Sequence, residues 1–263
     1  LLNLYFRIFH RLEVHGIENV KAAGDRAVIA LNHVSFLDAP LILSLLEDKP
    51  VFAIDSGIAK RWWVKPFLGI ARVFPMDPTK PLGTRGLIQE VKAGHRLVIF
   101  PEGRITITGA LMKVYDGAAM IADKSEAMIV PVRIDGLERS YFSRLTDGQV
   151  RRSLFPKTRV TFLPPRKLTI DAELRGRKRR HAAGAALYDV MSDLYFATSR
   201  LDGTLIEAFA DSVRSHGAKR DLLEDPVTGK LTARTALIGA AVLGRKIAAI
   251  SAPGEALGLM LPN

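Results

Sequence analysis

The chain has no cysteine among its 263 residues, which excludes disulfides, thiolate nucleophiles and Cys-based metal sites. It has no run of about 18 consecutive apolar residues, the length a helix needs to cross a bilayer. Its six histidines, at 10, 15, 33, 95, 181 and 216, form no H-E-x-x-H or comparable ligand spacing, so neither a metal nor a cofactor is expected. No Gly-x-Ser-x-Gly elbow occurs, which argues against a serine hydrolase. The stretch Asp225-Pro226-Val227-Thr228-Gly229-Lys230 is too short and lacks the glycine spacing of a phosphate loop.

What is present is an ordinary globular composition, 48% hydrophobic and 25% charged, with a net charge of +11. From residue 201 onward seven Lys/Arg balance seven Asp/Glu, so the whole excess lies in the first 200 residues. That portion favours anionic partners: a membrane surface, a phosphorylated substrate, an acidic carrier protein or nucleic acid. The basic run Arg175 to Arg180 lacks interleaved aromatics and no recognition motif is visible, which counts against nucleic acid. The same run reads either as a solvated helix start or as a dock for anionic lipid or carrier.

Residues 1–11 are apolar at 1, 2, 4, 5, 6, 8 and 9, with Arg7 and Arg11 between, and lack the core and cleavage site of a signal peptide. They suit an interfacial helix or a helix packed on its own domain. Trp62-Trp63, flanked by Lys60, Arg61 and Lys65, fits a headgroup-level anchor or helix packing over an acyl tunnel. Leu1 is not an initiator methionine, and the close at Leu261-Pro262-Asn263 has the look of a cut from a larger polypeptide.

Strands are expected near 27–31, 51–54, 97–100, 128–133 and 159–163. Helices are expected near 37–46, 60–67, 82–93, 116–124 and 181–199. Such alternation predicts an α/β domain with a mostly parallel sheet flanked by helices. Two polar motifs follow apolar strands: Asn32-His33-Val34-Ser35-Phe36-Leu37-Asp38 after Ala27 to Leu31, and Phe100-Pro101-Glu102-Gly103-Arg104-Ile105-Thr106 after Leu97. Both therefore sit at the carboxyl edge of the sheet, where ligands bind in such folds.

An imidazole with an ordinary pKa of about 6.5 can take a proton from a hydroxyl, and does so better when a carboxylate fixes its tautomer. His33 and Asp38 supply that pair if the chain turns tightly after His33. Ser35-x-x-Asp38 also has the form of a helix capping box with Asp in the last place, which accounts for Ser35 and Asp38 but not for His33. In the second motif Pro101 ends strand pairing, Gly103 permits close backbone approach and Arg104 can grip a phosphate bidentately. Glu102 can orient Arg104 or accept a substrate hydrogen bond; a plain charged turn is the competing account.

Together the motifs resemble the glycerolipid acyltransferase family. Its first block, Asn-His-x-x-x-x-Asp, is matched by Asn32, His33, Ser35 and Asp38. Its third is matched by Phe100, Pro101, Glu102 and Gly103 with Arg104 and Thr106, and its fourth by Ile129-Val130-Pro131-Val132. The second block departs: Asp77 stands where the family usually has Arg, and Arg72, Lys80 or Arg85 are the candidate substitutes. The resemblance implies acyl transfer by direct attack, with His33 and Asp38 catalytic. Asn32, Ser35, Glu102, Gly103, Arg104, Thr106, Lys113 and Pro131 are implied to bind substrate.

The stretch Phe100 to Arg144 and the run Pro75-Met76-Asp77-Pro78-Thr79 further resemble the bacterial bifunctional 2-acylglycerophosphoethanolamine acyltransferase/acyl-carrier-protein synthetase. The tail resembles the opening of an adenylate-forming acyl synthetase: helix, hairpin, helix, then a strand ending in Leu-Pro-Asn. Three segments are expected: a helix over 1–14, an acyltransferase domain over 15–199 and a truncated AMP-binding domain over 200–263. The resemblance implies an acyl thioester co-substrate on acyl carrier protein or coenzyme A, a lysophospholipid acceptor, and a place on the cytoplasmic face of a bacterial inner membrane. The alternatives are a 1-acyl-glycerol-3-phosphate acyltransferase and a catalytically silent anionic-lipid-binding domain.

Overall fold

A computed structural model describes residues 1–64, 69–76, 81–199, 203–226, 229–252 and 254–258. The chain divides into two compact units, Leu1–Thr146 with Arg152–Ser199, and Asp147–Arg151 with Arg200–Asn263.

The larger unit is built on a seven-stranded sheet. Its strands are β1 (Glu13–His15), β2 (Ala27–Leu31), β3 (Val51–Asp55), β4 (Arg72–Met76), β5 (Leu97–Ile99), β6 (Met128–Asp135) and β7 (Arg159–Phe162), in the order β1-β7-β6-β2-β5-β3-β4. All neighbours pair in parallel except β6 with β7. Every residue of β2 and β5 is buried. Strands covered on both faces need continuous apolar runs, which Ala27 to Leu31 and Leu97 to Ile99 supply.

Side-chain alternation splits the core into two layers. On one face Ala27, Ile29, Leu31, Val130, Val132 and Ile134 meet α1 (Leu2–Phe9), α2 (Glu18–Ala22) and α3 (Asp38–Leu45). The same face takes in Phe6, Val20 and Leu41. The four-residue α4 (Ser56–Ala59) follows β3. On the other face Val28, Ala30, Leu97, Ile99 and Ile129 meet α5 (Pro81–Lys92), α6 (Asp116–Ser125) and α7 (Gly176–Ala197). The result is an α/β layered fold with a mostly parallel sheet.

Three local features differ from expectation. Residues 60–64 hold a short 3-10 turn, Trp62–Val64, with Trp62 exposed; Lys65 and the remainder of the expected helix lie outside the described residues, as does the Trp63 side chain. The last long helix starts five residues earlier than expected. Its basic run lies inside the first turns because Arg179 pairs with Asp123 at 2.6 Å and Arg180 with Asp116 at 3.3 Å, both on α6. The three-residue β1 is too short to show a pattern of its own and exists by pairing with β7. Asp77 and Lys80 lie outside the described residues, as do Leu261 to Asn263.

The smaller unit contains α8 (Leu205–His216), the antiparallel hairpin of β8 (Asp221–Asp225) and β9 (Gly229–Thr232), and α9 (Ala233–Ala248). Thr204 and Glu207 form a reciprocal capping box at the start of α8, and Thr232 caps α9. No helix of the described residues is long and apolar enough to cross a membrane.

Candidate active site

β2 and β5 are neighbours in the sheet, with Ala30 opposite Ile99. Their continuations bring Asn32 to Asp38 beside Phe100 to Thr106 at the carboxyl edge, as the strand ends require. Alternation carries His33 to the α3 face and Asn32 to the α7 face.

The His33 Nδ1 lies 2.8 Å from Asp38 Oδ2. That same oxygen accepts the Val34 N–H at 2.7 Å and the Ser35 N–H at 2.9 Å. Two amide protons already point at Oδ2, so Asp38 is held as an acceptor and Nδ1 is assigned the proton. The Nε2 lone pair is then left for the cleft. The ring stacks on Phe100 with centroids 4.0 Å apart, and the side chain remains 18% exposed while Asp38 is fully buried. Asp38 Oδ1 is buried without a hydrogen-bond partner.

Ser35 and Asp38 make only half of a capping box: Asp38 Oδ2 accepts the Ser35 N–H, but the Asp38 N–H goes to the Ser35 carbonyl at 3.2 Å and not to its hydroxyl. The Ser35 hydroxyl accepts the Leu37 N–H at 3.2 Å and meets the Ser140 hydroxyl at 3.0 Å. The same carboxylate oxygen also takes the Val34 N–H and faces His33 Nδ1, gathering the turn that presents His33.

The second motif grips the backbone of the first. Glu102 Oε1 accepts the His33 N–H at 3.2 Å and Oε2 accepts the Met112 N–H at 2.9 Å. The Thr106 N–H donates to the His33 carbonyl at 2.8 Å, so both peptide groups of His33 are held by one loop. The Thr106 hydroxyl donates to the Ala110 carbonyl at 3.2 Å and accepts the Gly109 N–H at 3.1 Å. The loop is thereby closed on itself.

Burial pushes the Glu102 carboxyl above its ordinary value, with the Met112 and His33 amides pulling the other way. With each oxygen accepting a buried amide, Glu102 braces the two motifs against each other. Asn32 likewise turns inward: its Nδ2 donates to the Ile134 carbonyl at 2.9 Å and its Oδ1 accepts the Ile134 N–H at 2.7 Å. This pair continues the β2–β6 ladder one residue past Leu31. Pro131 is buried in mid-strand opposite Ala30, and its carbonyl accepts the Leu163 N–H at 2.9 Å.

Three residues expected to bind substrate are exposed: Gly103, Arg104 and Lys113. Gly103 sits at φ +64, where a side chain would be strained and its Cβ would press on the Tyr115 ring at 3.3 Å. The Lys113 ammonium lies 5.3 Å from the Tyr115 ring centre. Arg104 makes no ion pair among the described residues. Of the candidate substitutes for the missing Arg, Arg72 pairs with Glu90 at 3.0 Å, and Arg85 is exposed on α5.

Met112 and Ser140 join the site from 79 and 107 residues beyond His33 in sequence, one through an amide and one through a hydroxyl against Ser35. No local pattern marks either. Among the described residues no group of three or more His, Asp or Glu could hold a metal ion. A concavity of about 200 Å³ lined by Ile17, Val20, Leu45, Pro50 and Arg96 lies at the opposite edge of the sheet and contains none of these residues.

Residues 11–135 match the protein family described as Acyltransferase. Chloroplastic 1-acyl-sn-glycerol-3-phosphate acyltransferases of Brassica napus and Arabidopsis thaliana are 30% and 29% identical over 132 residues, 49% of this chain. The matched part spans only 38% and 37% of those relatives. The crystal structure of the 1-acyl-sn-glycerophosphate acyltransferase PlsC from Thermotoga maritima shares 20% identity and a TM-score of 0.48, over 72% of this chain and 73% of that one. Residues 11–135 are thus similar to the family described as Acyltransferase and to two 1-acyl-sn-glycerol-3-phosphate acyltransferases over about half of the chain.

Proposed function

We propose that residues 15–199 form a domain that moves a fatty acyl group from an acyl thioester to the free hydroxyl of a lysophospholipid. The observation that carries this reading is the His33–Asp38 pair, with Nδ1 committed to a buried carboxylate at 2.8 Å and the ring partly open to solvent. His33 Nε2 takes the proton of the acceptor hydroxyl as its oxygen attacks the thioester carbonyl. Asp38 stabilises the imidazolium. The carbon–sulfur bond then breaks, and the departing thiolate takes the proton back from His33, leaving an ester and a free thiol.

The phosphate of the acceptor falls to the exposed cations of the loop, Arg104 and Lys113, because Glu102 is spent on the backbone. The resemblance over Phe100 to Arg144 favours 2-acyl-glycerophosphoethanolamine as acceptor and acyl carrier protein as donor. The names of the curated relatives favour 1-acyl-glycerol-3-phosphate.

The remaining assignments follow from the same reading. The helix within 1–14 lies on the cytoplasmic face of a bacterial inner membrane. This is supported by the exposed Leu4, Ile8 and Phe9 of α1, by exposed Leu154 and Phe155, and by Arg7 and Arg11 alongside. Phe9 and Phe155 touch, with ring centres 5.1 Å apart, so the apolar patch is continuous. Residues 200–263 are the opening of an acyl synthetase domain, a reading supported by the order helix, hairpin, helix.

The test is to offer the purified protein a panel of lysophospholipids with acyl-CoA or acyl carrier protein thioester, and to identify the product by mass spectrometry. One acceptor should gain an acyl chain, and His33→Ala should lose at least about 10³-fold in turnover while still binding lipid. Wild-type turnover in His33→Ala would refute the mechanism. Lipid binding with no acylated product from any pair would leave a silent lipid-binding domain instead.

A further inference from the structure

The last turn of α7 and the end of β6 meet beside the site in a polar cluster that the mechanism above does not use. Ile129, Pro131, Arg133 and Asp135 alternate toward the α7 face of the sheet. Ile129 and Leu194 supply ordinary apolar packing there, yet Arg133 is an arginine with only 18% of its side chain exposed. Its Nε donates to Asp135 Oδ1 at 2.8 Å. One terminal nitrogen donates to the Tyr195 carbonyl at 3.1 Å and to the Thr198 hydroxyl at 3.0 Å. The guanidinium lies 4.5 Å from the centre of the Tyr195 ring. One side chain thus ties the carboxyl end of a helix to the carboxyl end of a strand, matching a cation to free helix carbonyls.

The cluster continues into the site. The Tyr195 phenol is coupled electrostatically to two residues of the site, with Glu102 raising its pKa and Asn32 lowering it. Burial first, and Glu102 second, push this phenol up to about 12, so it is a neutral hydroxyl at any working pH. Asn32 clasps both backbone groups of Ile134, the residue after Arg133, and directly precedes His33. Any slip of β6 against β2 therefore moves Asn32, and with it the direction in which the chain carries His33 out of the strand.

We propose that Arg133 and Tyr195 are positioning residues for His33, locking α7 to the β6–β2 edge so that Asn32 and Glu102 hold the imidazole in place. This rests on the reading of His33 as general base. They act through the backbone of the first motif and touch no substrate. Misplacing a catalytic group by about 1 Å can cost about 10²-fold in rate, and a clasp of this kind limits such drift.

The experiment compares Tyr195→Phe, which keeps the ring under the guanidinium but removes the hydroxyl, with Arg133→Met in the full chain. Each should lower kcat about tenfold and leave KM for the lysophospholipid and the thioester within about twofold. Tyr195→Phe should melt close to the parent, so it carries the test if Arg133→Met fails to fold. In protein labelled with 15N-histidine, the Nδ1-bound proton of His33, assigned by its loss in His33→Ala, should shift in both variants.

Wild-type kcat together with an unmoved His33 resonance would overturn the proposal. A raised KM with unchanged kcat would do so as well, by making Arg133 a substrate contact. If His33→Ala keeps full turnover, the base assignment fails. The Nδ1 resonance of Tyr195→Phe then decides the brace alone: a shift upholds it and no shift removes it.

Discussion

Replacing Asp38 by asparagine is the perturbation that isolates charge from geometry at this site. Asparagine is nearly isosteric with aspartate, and Asp38 is fully buried, so what matters is which way the new amide sits. Oδ2 already receives the Val34 N–H at 2.7 Å and the Ser35 N–H at 2.9 Å, whereas Oδ1 has no partner. An amide nitrogen in the Oδ2 place would face two donors and leave both backbone amides unsatisfied. The side-chain carbonyl of the Asp38→Asn variant is therefore pinned there, its NH2 takes the other side, and His33 Nδ1–H still meets an acceptor. The tautomer survives and only the charge is lost. A charge-assisted hydrogen bond exceeds a neutral one by about 1 to 2 kcal/mol, which converts to about 5- to 30-fold. The assay is kcat/KM with the acceptor identified by the panel, alongside circular dichroism to confirm the fold. A loss of about 10⁴-fold, the size associated with a wrong tautomer in serine proteases, would show that the amide is not pinned. A loss under about threefold would show that Asp38 contributes no charge stabilisation to the imidazolium.

Two further outcomes follow from burial and backbone geometry. His10 is fully buried, donates Nδ1–H to the Pro156 carbonyl at 3.2 Å and leaves Nε2 without a partner, and burial holds its pKa below the ordinary 6.5. The unfolded chain therefore takes up a proton that the fold resists. Stability should be full above about pH 6.5 and fall as pH drops toward the depressed value; urea midpoints across this window should slope in the parent and flatten in His10→Asn, and equal slopes would refute the assignment. Gly136 sits at φ +101 and a Cβ there would collide with the Lys157 carbonyl, so Gly136→Ala should cost about 3 kcal/mol or more, a Tm drop of about 6 to 12 °C by calorimetry, and an unchanged Tm would contradict the backbone description.

The parallel core was legible because its strands are fully apolar and its helices carry a helical period. Ala27 to Leu31, Leu97 to Ile99 and the helix over 116–125 declare themselves within their own windows. What stayed hidden depends on partners far away in sequence. β1 exists by pairing with β7, 146 residues on, and α7 begins early because α6 offers Asp123 and Asp116 to its arginines. The His33–Asp38 pair was readable, since a five-residue turn closes it. The work of Glu102 was not: a carboxylate in a Pro-Glu-Gly-Arg turn looks outward, and only the fold shows His33 N–H and Met112 N–H converging on it.

That inward role changes how the site divides its labour. His33 is held at its side chain by Asp38, at its N–H by Glu102, at its carbonyl by Thr106 and at its ring face by Phe100. Each of these partners is buried or half-buried. The exposed cations Arg104 and Lys113, proposed above to meet the phosphate, lie on a loop whose two anchors are the same residues that clasp His33. Geometry at the proposed base and recognition at the rim are therefore built on one loop but on opposite sides of it. On the proposed function, a change of rim charge should alter head-group selection without loosening the imidazole, whereas a change in the buried clasp should disturb both at once. This asymmetry gives a buried glutamate a structural place in a motif that otherwise reads as a phosphate grip.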